Sequence, residues 1–162
     1  MRSKKLIFLF VALLLPVLIF VFLRIFGKNQ FEVPLIFEEG VTDVPSECNF
    51  EYTSPYVLPD SLVNKLSIAE NKLTILTFAR ETQALRRVVE GLNDDGRITM
   101  LNGNALGFKN ENLVKNCVLL LKSPNDVVLF DGQKQIRGYY DSRDRDELDR
   151  LEAELKILLE KY

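Results

Sequence analysis

Histidine and tryptophan are absent from the 162 residues, and cysteine and methionine occur twice each. Without an imidazole there is no Ser–His or Cys–His pair, no histidine general base and no histidine metal ligand. The two cysteines, Cys48 and Cys117, are too distant in sequence to form a C-x-x-C or C-x-x-x-C motif. The nearest approach to a phosphate-cradling loop, "GNALGF" at Gly103–Phe108, lacks the G-x-G-x-x-G spacing. A basic stripe is missing too. Of 21 Lys and Arg, four precede residue 28 in a stretch with no acid, so the remainder, with all 23 Asp and Glu, is net acidic. That excludes a nucleic-acid partner and a polybasic hold on anionic lipid. Repeats and low-complexity tracts are absent.

What the chain does have is a long apolar run. Leu6–Leu23, "LIFLFVALLLPVLIFVFL", is unbroken by charge, and Ile25 and Phe26 extend it past Arg24. At ~1.5 Å per helical residue, about 20 residues cross a bilayer core, so the run predicts a membrane-spanning helix over 6–26. A cleaved signal peptide would have a shorter apolar region followed by small residues. Here Arg24-Ile25-Phe26-Gly27-Lys28 follows, which points to an uncleaved anchor in residues 1–27. Arg2, Lys4 and Lys5 before the run place the N-terminus in the cytoplasm and the remainder outside.

Residues 28–60 contain four of the six prolines and many aromatics. They read as a lead-in that wraps the core, with short edge strands at Phe31–Phe37 and Tyr56–Leu58. Cys48 lies in this lead-in. In an oxidising compartment Cys48 and Cys117 can form a structural disulfide, stay as two free thiols, or serve as a metal or redox pair; spacing alone leaves all three open.

Residues 61–162 read as the core. A branched apolar run predicts a strand at Leu73–Phe78, and Leu85, Val88, Val89 and Leu92 give one face of a helix over Glu81–Leu92. A strand follows at Ile98–Leu101. Cys117–Leu121 ("CVLLL"), Val127–Asp131 and Ile136–Tyr140 read as three more, the last two joined as a hairpin. The helix Asp144–Tyr162 starts on a capping-box-like Asp144/Glu147 pair and carries a stripe of Leu148, Leu151, Leu155, Leu158 and Tyr162. Arg80, Arg86 and Arg87 offer an anion grip near the first strand-to-helix crossing. The carboxylate-rich turns Glu38-Glu39, Asp94-Asp95 and Asp141–Arg150 read as solvated charge.

Strand–helix–strand, a connector, a hairpin and a closing helix read as an α/β fold of thioredoxin-like type, βαβ plus ββα around a mixed sheet, behind an N-terminal transmembrane helix; a flavodoxin-like or generic α/β layer is the alternative, and it wants more helix between the later strands. "VVLFDGQKQIRGYYDSRDRDELDRLEAELKILL" resembles the C-terminal part of bacterial membrane-anchored Sco/SenC proteins, and "FGKNQFEVPLIFEEG" and "PYVLPD" resemble their lead-in. The resemblance implies a thioredoxin fold on the outer face of a bacterial inner membrane, anchored by a single pass, with a role in assembling a respiratory oxidase. It also implies a C-x-x-x-C pair after the first core strand and a later histidine, which together suit copper or thiol exchange.

This chain departs from that pattern. The matching positions read Ala79, Arg80, Glu81, Thr82, Gln83 and Ala84, and the histidine position falls near Ser123. The expectation is therefore a non-catalytic module without a cofactor that binds an envelope protein. The alternative is a divergent copper chaperone or thiol oxidoreductase using Cys48 and Cys117, with Met100 as the other soft ligand of the exported part.

Overall fold

The structure is a computed structural model that describes residues 12–22, 24, 32–70, 72–93 and 95–161. It divides into two compact units, Met1–Glu32 and Val33–Tyr162. In the first, residues 12–22 are helical with exposed side chains. Among the described residues no helix is long and apolar enough to cross a membrane; the span predicted from 6 to 26 includes residues 6–11, 23, 25 and 26, which lie outside them. The second unit begins at Val33, so most of the lead-in belongs to the same compact body as the sheet.

That body is built on four strands: β1 (Leu73–Thr77), β2 (Ile98–Asn102), β3 (Val127–Phe130) and β4 (Ile136–Tyr140). Their order is β2-β1-β3-β4; β1 and β2 are parallel, and β3 runs antiparallel to both β1 and β4. Every residue of β1 and β3 is buried, as expected for strands covered on both faces. Alternation sorts the side chains. Leu73, Ile75, Val127 and Leu129 join one core cluster, whereas Leu76, Val128 and Phe130 join the other. β2 is an edge strand of the sheet, and the Asn93 side chain pairs with both backbone groups of Ile98: Nδ2 donates to its carbonyl at 2.9 Å and Oδ1 accepts from its N–H at 2.8 Å.

The first cluster is completed by α2 (Gln83–Glu90) through Leu85 and Val89, and by the C-terminal helix (Arg145–Lys161) through Leu148, Leu151, Leu155 and Leu158. Each buried leucine contributes about 1.5–3 kcal/mol of transfer free energy. The Lys156–Glu152 ion pair forms on the exposed side of that C-terminal helix, while Arg150 and Glu154 pair where the helix meets Tyr139 and Tyr140 of β4. Asp144 accepts from the N–H of Asp146 at its start. The opposite face is covered by α1 (Asp60–Leu66), the lead-in, and a short helix, α3 (Glu111–Leu113), that widens into a π-helix over Val114–Val118. With α1, α2 and α3 so placed, the C-terminal helix is α4.

Three expectations are corrected. Cys117–Leu121 is not a strand: Cys117 and Val118 end the π-helix, and Leu120 sits in the left-handed region at φ 51, which breaks an extended ladder. Phe31–Phe37 and Tyr56–Leu58 form no edge strands among the described residues. Phe37 turns the chain at φ 67, and isolated bonds from Ile36 N to Ile136 O and from Leu58 N to Lys134 O replace a ladder. Helix α2 starts at Gln83, two residues later than expected, and α1 lies where no helix was predicted.

A buried ion pair fastens the lead-in to the β3–β4 hairpin. Arg137 Nε donates to Asp131 Oδ2 at 2.7 Å, and Arg137 Nη1 to the carbonyl of Val33 at 3.1 Å. The second oxygen of Asp131 accepts from the backbone N–H groups of Gln133 and Gln135, both at 2.9 Å, which closes the turn.

Candidate functional site at the first strand-to-helix crossing

The chain leaves β1 under tight control. Phe78 N donates to Asp126 O at 2.8 Å, and the carbonyl of Phe78 accepts from Asn104 Nδ2 at 3.1 Å. The Phe78 ring lies against Gly103, where an added Cβ would stand 2.2 Å from the nearest ring carbon, and Lys115 Nζ sits 4.3 Å from the ring centroid on a cation–π contact. Ala79 is buried, its N–H held by Thr77 Oγ1 at 3.1 Å. Then the backbone turns outward. Arg80, Glu81, Gln83 and Ala84 are exposed and Thr82 is half-buried, with its hydroxyl accepting from Arg86 Nε.

A cleft of about 400 Å³ opens at this point, lined by Phe78, Ala79, Arg80, Glu81, Asp126, Ser142 and Arg143. Its far wall is rigid. Ser142 donates from both its N–H and its hydroxyl to the two oxygens of Asp126, each at 2.8 Å. Arg143 forks onto Asp141 at 2.9 and 3.0 Å and reaches Pro124 O at 3.3 Å. The hydrogen bond from Arg143 holds the Asp141 carboxyl below its ordinary range, and Asp141 in turn raises the guanidinium. Ser123, the position of the expected histidine, is exposed and adjoins that Pro124 contact without lining the cleft.

Thus the structure brings Ala79, Arg80 and Glu81 to one end of the sheet together with Asp126, Ser142 and Arg143, which sequence reasoning did not single out. These three come from the turns before β3 and after β4, so only the strand register reveals their contact. The lining offers two guanidinium groups, two carboxylates and a hydroxyl. It holds no thiol, and its one hydroxyl is engaged by a carboxylate. Chemically, such a set can supply hydrogen bonds and ionic contacts.

Cys48 and Cys117 lie elsewhere. The structure joins them in a disulfide with Cα atoms 5.3 Å apart, tying the lead-in to the π-helix. Around it, three tyrosines donate to three successive carbonyls: Tyr52 to Cys117 at 2.8 Å, Tyr56 to Val118 at 2.6 Å and Tyr139 to Leu119 at 2.7 Å. Met100 packs against the α4-side cluster, on the other face of the sheet from the cluster that holds Val118. Among the described residues no group of three or more His, Cys, Asp or Glu gathers in a metal-binding arrangement.

No family model matches the chain, and neither a curated protein nor a solved structure shows significant similarity to it.

Proposed function

We propose that this chain is a membrane-anchored, extracytoplasmic binding module of thioredoxin-like fold, related to the Sco/SenC assembly factors and acting on another envelope protein without transferring copper or electrons. The observation that carries the reading is the crossing after β1. A parallel strand–helix–strand unit opens there on a cleft whose polar lining is Arg80, Glu81, Asp126, Ser142 and Arg143, with neither thiol nor imidazole among them. The strand order β2-β1-β3-β4, with a parallel βαβ pair followed by an antiparallel hairpin and a closing helix, supports the thioredoxin-like assignment. The exposed guanidinium of Arg80 and the Asp141-paired one of Arg143 suit a carboxylate on the partner.

Affinity purification of the full chain from detergent-solubilised membranes tests this. The expected result is one stable complex that persists with chelator and with thiol-blocking reagent, and that Arg80→Glu weakens by tenfold or more, about 1.4 kcal/mol. Catalytic thiol–disulfide turnover, or stoichiometric Cu(I) binding by the reduced chain, would overturn it in favour of a copper or redox role for Cys48 and Cys117.

A further inference from the structure

Between Phe37 and Tyr52 the lead-in makes an acidic strap. Glu38, Glu39, Asp43, Glu47 and Glu51 lie in it, with no lysine or arginine among them. The base of the strap is closed independently of its body: Tyr56 N donates to Phe37 O at 3.1 Å and Tyr52 Oη to Cys117 O at 2.8 Å. Within Glu38–Glu51 the described backbone bonds are local, Gly40 N to Phe37 O and Cys48 N to Pro45 O. Among the described residues the body is held by Val41 packed against the core cluster, by the edge-on contact of the Phe50 ring with Tyr52 at 5.1 Å between centroids, by the Asp43–Lys122 ion pair and by Cys48–Cys117. Both partners of that ion pair are exposed, so solvent and salt screen their attraction. The disulfide is the pin.

What the pin controls is visible on either side of Cys48. Glu47 forms one wall of a polar cleft of about 330 Å³ whose other walls are Asn110, Asn112, Leu113, Asn116 and Cys117. Phe50 forms one wall of a mostly apolar cleft of about 370 Å³ with Leu62, Phe108, Leu113, Val114 and Val118. The two clefts share Leu113, and each is bounded by the strap. Cys48 is half-buried and Cys117 only 3% exposed, so an incoming thiolate meets the Cys48 sulfur first.

We infer that Cys48–Cys117 is a redox latch: its reduction by a dithiol frees the strap Glu38–Glu51 and opens both clefts while the sheet stays folded. The exchange balances. A thiolate of the dithiol attacks Cys48 Sγ, the S–S bond breaks, and Cys117 leaves as a thiolate that takes up a proton. The second thiol of the reductant then attacks its own sulfur in the mixed disulfide and releases Cys48; two electrons pass to the protein and the reductant ends as a disulfide. One stoichiometric reduction suffices, so the latch stands or falls separately from the envelope-partner reading, which concerns the crossing.

The test uses the full chain in detergent micelles with dithiothreitol as the reductant, a thiol count, and hydrogen–deuterium exchange read by mass spectrometry. The expected result is two thiols per chain, about tenfold or faster exchange in Glu38–Glu51, and unchanged protection in Leu73–Thr77 and Val127–Phe130. The Cys48→Ser/Cys117→Ser double variant is expected to show the fast strap without reductant. The inference is overturned if no thiol appears, if the strap exchanges at its oxidised rate after both thiols appear, or if the strands lose protection together with it. Should the double variant fail to fold, the wild-type comparison decides.

Discussion

The hydroxyl of Tyr56 donates to the carbonyl of Val118 at 2.6 Å, joining the lead-in to the end of the π-helix across 62 positions of sequence. Tyr52 and Tyr139 do the same for the carbonyls on either side. A helix end leaves carbonyls without intrahelical partners, and here side chains from two other segments supply the donors.

Removing one donor therefore strands a buried carbonyl. Tyr56→Phe is expected to cost about 1–3 kcal/mol, because the carbonyl loses its partner while the ring is kept. Tyr52→Phe should cost less, since its bond is only partly buried. Urea titration checks both, with a lowered midpoint and an unchanged m-value expected; an unchanged midpoint for Tyr56→Phe would show that the carbonyl finds another partner.

Alkali should act through the tyrosines. Burial holds the phenols of Tyr56, Tyr139 and Tyr140 well above the ordinary value of 10.0, aided at Tyr140 by the carboxylate of Glu154. With the folded pKa raised, the folded chain keeps protons that the unfolded chain gives up. Stability is thus complete below the unfolded value and falls as pH rises past it, by up to roughly 1.4 kcal/mol per pH unit for each such tyrosine. Melting temperature and tyrosinate absorbance followed together should change over one pH interval. Normal ionisation of all tyrosines in a chain that stays folded would contradict the assignment.

The Asp131–Arg137 pair gives a sharper mutational test. Both side chains are almost wholly buried, at 0% and 6% exposure. Arg137→Met removes the guanidinium that donates to the Asp131 carboxylate at 2.7 Å, and breaking a buried pair from one side costs about 3–5 kcal/mol. The midpoint of denaturant unfolding reads the loss. A cost below about 1 kcal/mol would mean that water or a shifted backbone takes over the role of Arg137.

Gly138 is fixed by its neighbour on β4. An added Cβ would lie 2.1 Å from Tyr140 Oη, and the Tyr140 ring is itself held by Glu154 and by Arg150 at 4.5 Å from its centroid. Gly138→Ala must displace the ring and is expected to cost about 1–3 kcal/mol. Near-UV circular dichroism should register the tyrosine moving; an unchanged spectrum with unchanged stability would refute the contact.

How far the sequence foretells this molecule depends on what satisfies each backbone. β1 to β4 and α4 are legible because ladders and helices satisfy their own backbone groups and leave a periodic apolar signal. Cys117–Leu121 carries the same apolar signal, yet its carbonyls go to Tyr52, Tyr56 and Tyr139, partners that no local pattern announces. Helix α1 hides its apolar residues Leu62, Val63 and Leu66 in one short turn-and-a-half behind Pro59, whose presence reads as edge or turn. At the crossing, the absence of cysteine and histidine from Ala79 to Ala84 is plain in the sequence. The wall of Asp126, Ser142 and Arg143 is not, because it exists only once β3 and β4 are paired in register.

The side chain of Asn93 has a consequence for how copies of this domain coexist. A strand edge with unpaired N–H and C=O groups is a template on which another chain can stack. By giving Ile98 one donor and one acceptor from a single amide, Asn93 counterfeits the next strand at the place where β2 begins. That one amide removes from the β2 edge the first rung on which a strand of a second copy could pair.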